Sequence, residues 1–129
     1  VLTVGKEGAY ACDGGRWHYR PALKVPVAST AGAGDALLAG VLAGLAVGLP
    51  FAAPGALVGA QAAPPLSSAF DLGVLLAALS VTSPHTIHPE ASAEALLALS
   101  HRLGLEIAEP LRSALAGTSP EPAGPAQAT

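Results

Sequence analysis

Ser29-Thr30-Ala31-Gly32-Ala33-Gly34-Asp35-Ala36-Leu37-Leu38-Ala39-Gly40 is the stretch on which the fold turns. Before it, Val25-Pro26-Val27-Ala28 has the composition of an extended edge. After it, Leu37, Leu38, Val41, Leu42 and Leu45 recur at helical spacing until Gly48 and Pro50 supply a stop. A strand, a small-residue turn through Ala31-Gly32-Ala33-Gly34 and a helix beginning at Asp35 aim several backbone N–H groups from the positive end of a helix dipole. Such a helix start attracts anions. Without a Cβ, glycine lets a phosphate come close to those amides, and it accepts the positive φ that a tight turn can require. Asp35 adds a carboxylate beside the same space, able to take a proton from a hydroxyl while the amides hold a transferring phosphoryl group. An aspartate there also serves as a helix cap, and the glycines as a plain turn, so the rest of the chain has to decide.

The chain opens on a second glycine-bearing turn. Val1-Leu2-Thr3-Val4-Gly5 reads as a buried strand that runs into Lys6-Glu7-Gly8. This is not a Walker A loop, because Lys6 is followed by Glu7 and the glycine spacing is wrong. Ala9-Tyr10-Ala11-Cys12 and Arg16-Trp17-His18-Tyr19-Arg20 then flank Asp13-Gly14-Gly15, a hairpin signal. Strand alternation puts Trp17 and Tyr19 on one face, where two aromatics are expected to cover the sheet, and Arg16, His18 and Arg20 on the other. Pro21 and Pro26 confine the residues after the hairpin to an edge.

Composition narrows the classes. The 129 residues are 51% apolar and only 12% charged, with 4% aromatic, 15 Gly and 12 Pro. Mean hydropathy is +0.51 and the pI is near 5.7. That suits close-packed Ala- and Leu-rich helices joined by sharp turns. Six basic and nine acidic residues leave a net charge of −3 with no basic run, so nucleic acid is not an expected partner. A single cysteine, Cys12, forbids an intrachain disulfide and reads as a small packed side chain. No charge occurs between Asp35 and Asp71, and Gly40 and Gly44 form a G-x-x-x-G pair, which raises the question of a membrane span. A span needs about 20 apolar residues. Residues 36–49 give 14 before Pro50, and no Lys or Arg flanks the segment, so no membrane is expected. The same small residues let a soluble helix lie close against a sheet.

Residues 51–63 and 67–81 read as two further helices separated by Pro64-Pro65. Residues 82–89 form a Pro-bounded loop carrying His85 and His88, read as solvated histidines and not as metal ligands. Ser92 caps a last helix that runs to Leu103 and stops at Gly104. From residue 117 onward the chain is Pro, Gly, Ala, Ser, Thr, Gln and Glu, a composition expected to stay disordered. With no methionine and an apolar first residue, the chain is expected to be the C-terminal part of a longer protein. The opening residues have neither the positive start nor the small-residue cleavage site of a signal peptide.

Taken together, Thr30-Ala31-Gly32-Ala33-Gly34-Asp35 resembles the T-x-G-A-G-D signature of the ribokinase or PfkB-type carbohydrate kinase family, and Thr3 to Gly8 is similar to its T-x-G-x-x-G nucleotide turn. The resemblance spans residues 1–103. It implies a ribokinase-like three-layer αβα sandwich, of which this chain would be the C-terminal fragment. In that fragment the strands at Val1 and Val25 join a sheet flanked by the helices. It further implies ATP-dependent, Mg2+-dependent transfer of a phosphoryl group to a sugar or nucleoside hydroxyl. Asp35 would be the general base, the amides of Gly32, Ala33 and Gly34 the anion hole, and Thr3, Gly5 and Gly8 nucleotide contacts. Ala77-Ala78-Leu79-Ser80-Val81-Thr82 resembles the helix exit beside the adenine.

Residues 1–104 would then be the kinase portion, and 105–129 an extension disordered from about 117. Ser83-Pro84-His85-Thr86-Ile87-His88-Pro89-Glu90-Ala91-Ser92 looks most like a run found in pseudouridine kinases, whereas Ser29-Thr30 also resembles phosphofructokinase-type members. Many members carry Asp where Ser29 stands, at a monovalent-cation position, so cation dependence is left open. Residues 51–71 are longer than the family's usual connection. The expected partner is a small sugar or nucleoside, the expected compartment the cytoplasm, with mitochondrial targeting of the longer protein left open, as is a homodimer. A noncatalytic remnant of such a kinase is the competing reading, and a membrane-associated helical protein the weaker one.

Overall fold

The computed structural model describes residues 1–3, 7–25, 27–28, 32–53, 65–82 and 93–116. Its elements in order are β1 (Leu2–Thr3), β2 (Ala9–Asp13), β3 (Arg16–Arg20), α1 (Ala33–Ala46), α2 (Ala69–Val81), α3 (Ala93–Arg102) and α4 (Leu111–Leu115). The strands form an antiparallel meander ordered β1-β2-β3, with Leu2 opposite Tyr10 and Asp13 opposite Arg16. Gly14 and Gly15 make the two-residue turn with φ of +59° and +84°, the pair of positive values that matches the twist of a two-residue hairpin.

The expected strand at Val25 is not formed: residues 21–25 and 27–28 belong to no sheet. Pro21 has no N–H to offer a ladder, and Ala28 donates its amide to the Val81 carbonyl at the end of α2 (2.7 Å) instead. Among the described residues the architecture is thus one antiparallel sheet with helices against one face. The 51–63 helix is also corrected where it can be seen. Phe51, Ala52 and Ala53 are non-helical, because the Pro50 and Phe51 carbonyls accept from the Ala69 and Phe70 amides that open α2 (2.8 and 2.9 Å). Residues 54–64 lie outside the described residues, as do the 83–92 loop with His85 and His88 and the 117–129 tail.

α1 and α2 run antiparallel in close contact. A Cβ on Gly40 would lie 2.6 Å from the Gly73 Cα, one on Gly73 2.5 Å from the Leu37 carbonyl oxygen, and one on Gly44 2.8 Å from the Ala69 Cα. The G-x-x-x-G pair therefore seats a helix, not a sheet. α2 is buried from Ala69 through Leu75, the ion-paired Asp71 included, whereas α1 leaves Leu38, Leu42 and Leu45 exposed on its other side. Phe70 and Leu75 are fully buried, each contributing about 1.5–3 kcal/mol. Leu96, Leu99, Ile107, Leu111 and Leu115 complete the same core. Residues 105–116 are bound into it by a parallel bridge between Leu66 and Ile107 and by α4, for which the apolar spacing is too short to read. Among the described residues, no helix is long and apolar enough to cross a membrane.

The sheet meets the helices through an unusual face. Ala9 and Ala11 of β2 and His18 and Arg20 of β3 point inward and are buried, while Trp17 is exposed and Tyr10 and Tyr19 are half-buried outside. The aromatic face expected to cover the sheet is thus the outer one. Two alanines leave room for two long polar side chains, of which Arg20 reaches α2 and His18 the non-helical Ala53. His18 Nδ1 donates to the Ala53 carbonyl (3.1 Å), and Arg20 forms an ion pair with Asp71.

Candidate active site at the start of α1

α1 begins at Ala33, two residues before the expected start, and its N-cap is Gly32 with φ +82° and ψ −1°. Only Gly32 needs the left-handed region; Ala33 and Gly34 are already helical, so the turn of the signature is shorter than the sequence suggests. The first intrahelical bond runs from the Ala36 amide to the Gly32 carbonyl (2.8 Å). The amides of Ala33, Gly34 and Asp35 consequently have no intrahelical acceptor, and none among the described residues serves them. Among the described residues no side chain caps this end.

Asp35 sits in the first turn and is exposed, without a hydrogen bond to a described residue. It therefore does not act as the cap that a G-x-G-D segment alone allows. Gly34 is exposed, and a Cβ there would meet nothing within 4 Å. The result is an open, amide-lined helix start with one carboxylate beside it. That combination can hold an anion and accept a proton next to it.

The other expected nucleotide residues are placed in part. Thr3 pairs with Ala9 in the sheet. Gly8 has φ +114°, and a Cβ there would run into the Arg20 carbonyl oxygen and come within 2.9 Å of the Pro21 Cα, so only glycine fits. Gly5, Ser29, Thr30 and Ala31 lie outside the described residues. Residues 77–82 form the last turns of α2 and its exit, where Thr82 Oγ1 donates to the Leu79 carbonyl (2.6 Å). Ala28 is tied to that same exit by its bond to the Val81 carbonyl. Cys12 is exposed, not packed. Among the described residues no group of three or more His, Cys, Asp and Glu side chains is placed to hold a metal.

Sequence reasoning passed over the polar joints. Asp71 accepts from Arg20 Nε and Nη2 and from the amides of Ser67 and Ser68 (2.8 and 3.0 Å), while Ser68 Oγ accepts from the Asp71 amide. Ser68-Ala69-Phe70-Asp71 has the spacing of a capping box with Asp in its last place, a signal that was legible.

The family description "pfkB family carbohydrate kinase" matches residues 1–93, a span that contains the Gly8 turn, the Gly32 cap and Asp35. The chain belongs to the PfkB family of carbohydrate kinases. Its class is therefore that of enzymes which transfer a phosphoryl group to a carbohydrate-type acceptor. Comparison with curated proteins and with solved structures gave no match.

Proposed function

We propose that this chain carries the nucleotide turn and the catalytic base of an ATP-dependent kinase acting on a sugar or nucleoside hydroxyl. The observation that carries the reading is the open start of α1, where amides without a partner among the described residues adjoin the exposed Asp35 carboxylate. The acceptor oxygen attacks the γ-phosphorus, the bond from that phosphorus to the bridging β-γ oxygen breaks, and ADP leaves. The acceptor proton passes to the Asp35 carboxylate. Backbone amides at Gly32, Ala33 and Gly34 hold the charge on the transferring group, with the positive end of the helix dipole behind them. Thr3, Gly5 and Gly8 contact the nucleotide.

Mg2+ would neutralise phosphate charge; it takes most of its ligands from phosphates and water, so the lack of an acidic cluster among the described residues suits it. Ser29, being neutral, makes a weak ligand for a monovalent cation. Ser83-Pro84-His85-Thr86-Ile87-His88-Pro89 favours pseudouridine as the acceptor. The apolar row Leu38, Leu42 and Leu45 left open on α1 supports reading the chain as part of a longer kinase domain, one that supplies the rest of the acceptor pocket. The 129-residue chain should then bind nucleotide without turning over. Thermal unfolding with and without Mg-ATP tests this: binding raises the midpoint, by about 2.7 kcal/mol of stabilisation at a hundred times Kd. An unmoved midpoint at millimolar nucleotide would overturn the reading.

A further inference from the structure

We propose that the buried Arg20–Asp71 pair positions the nucleotide turn against the helix pair that carries Asp35. The inference rests on reading Thr3, Gly5 and Gly8 as nucleotide contacts. Arg20 and Asp71 are 3% and 0% exposed. A pair so deeply buried is a poor way to gain stability, since the desolvation of both charges offsets their attraction and apolar side chains of similar volume do as well. What it does supply is geometry. The planar guanidinium meets both carboxylate oxygens, Nε to Oδ1 at 2.5 Å and Nη2 to Oδ2 at 3.1 Å.

Each end of the pair is fixed. Asp71 is held by the amides of Ser67 and Ser68, and Arg20 Nη2 also donates to the Pro65 carbonyl (3.1 Å). The backbone of Arg20 pairs with Ala9, and its carbonyl lies under Gly8. The residue that grips α2 with its side chain thus supports the last glycine of the turn with its main chain. From Asp71 the path continues along α2 to Gly73, which touches Gly40 and Leu37 of α1 two residues beyond Asp35. A displaced β3 would shift the Arg20 carbonyl under Gly8, and with it the last glycine of the turn, relative to α2. His18 marks the contrast. It lies on the same inner face but ties the hairpin to the Ala53 carbonyl, and its buried Nε2 has no partner among the described residues.

Titrating the 129-residue chain with trinitrophenyl-ATP, well below its unfolding temperature and with far-UV circular dichroism alongside, tests the assignment. Arg20→Lys keeps the charge without the fork, and Asp71→Asn keeps the cap without the charge. Each should weaken binding about tenfold or more with the dichroism unchanged. Arg20→Lys combined with Asp71→Asn should lose no more than the worse single variant, because both act through one joint. His18→Ala should lower the unfolding temperature yet bind within about twofold of wild type. If either single variant fails to fold, Arg20→Met with Asp71→Leu retains attachment without the fork and should show the same tenfold loss. Folded variants with wild-type affinity, or losses that multiply in the double variant, overturn the positioning role alone. A wild-type chain that binds no nucleotide overturns the nucleotide reading and this inference together.

Discussion

At the start of α2 the early amides are taken by the protein: Ala69 by the Pro50 carbonyl, Phe70 by the Phe51 carbonyl and Asp71 by the Ser68 hydroxyl. At the start of α1, the amides of Ala33, Gly34 and Asp35 have no described partner and the capping position is a glycine. Both helices carry an aspartate at the third position, yet Asp71 is fully buried and accepts four hydrogen bonds while Asp35 is exposed and accepts none from described residues. A helix terminus whose donors are satisfied internally serves the fold. One left open next to a carboxylate is available to a ligand, and the same residue type becomes a joint in one place and a reagent in the other.

The contrast breaks most readily at Asp35. Asp35→Asn in the complete kinase should lower turnover by about 10²–10⁴-fold, the contribution of a positioned base, with the Kd for ATP little changed; steady-state rates and nucleotide titration together would show it. Next in size is Asp71→Ala, which strands the Arg20 guanidinium in the core. Denaturant unfolding should record a loss of about 3–5 kcal/mol. Ser68→Ala removes the α2 cap for about 1 kcal/mol, again by denaturant midpoint, and leaves nucleotide affinity where it was. The smallest change sharpens the comparison by its sign. Gly34→Glu puts an acid in the open first turn, which should stabilise the free protein by about 0.3–1 kcal/mol through the dipole while weakening nucleotide binding. Had α1 begun closed as α2 does, the two readouts would not part.

Much of this could be read from local pattern. Asp13-Gly14-Gly15 foretold the hairpin because only positive-φ residues close a two-residue turn. The apolar spacing of residues 37–45 foretold α1, and Gly104, with φ +69°, ended α3 where a glycine stop was expected. What local pattern misses is partnership at long range. Arg20 and Asp71 are 51 residues apart, and Gly40 and Gly73 are 33 apart, so nothing in either neighbourhood names the other. The alternation of the hairpin was legible, with Trp17 and Tyr19 on one face and Arg16, His18 and Arg20 on the other, but which face turns inward is decided at the same long range. α2 offers a carboxylate and the non-helical residue Ala53 a carbonyl to β3, and these draw Arg20 and His18 inside. Of the candidate site, a turn at Gly32 and Asp35 in the first turn of the helix were legible in position. The extent of the turn was not, since Ala33 and Gly34 join the helix.

Trp17 is the single tryptophan of the chain and lies on the outer face of the hairpin, about half exposed, beside a sheet whose Tyr10 and Tyr19 rings stand 4.9 Å apart. Its emission therefore reports on the hairpin's surroundings and not on the α1–α2 core, whose signal is the far-UV dichroism of the helices. Fluorescence and dichroism are thus two separate gauges in one molecule. If the polar joints let go before the helices unpack, the two unfolding curves will separate, and the gap between their midpoints measures how firmly the sheet is fastened.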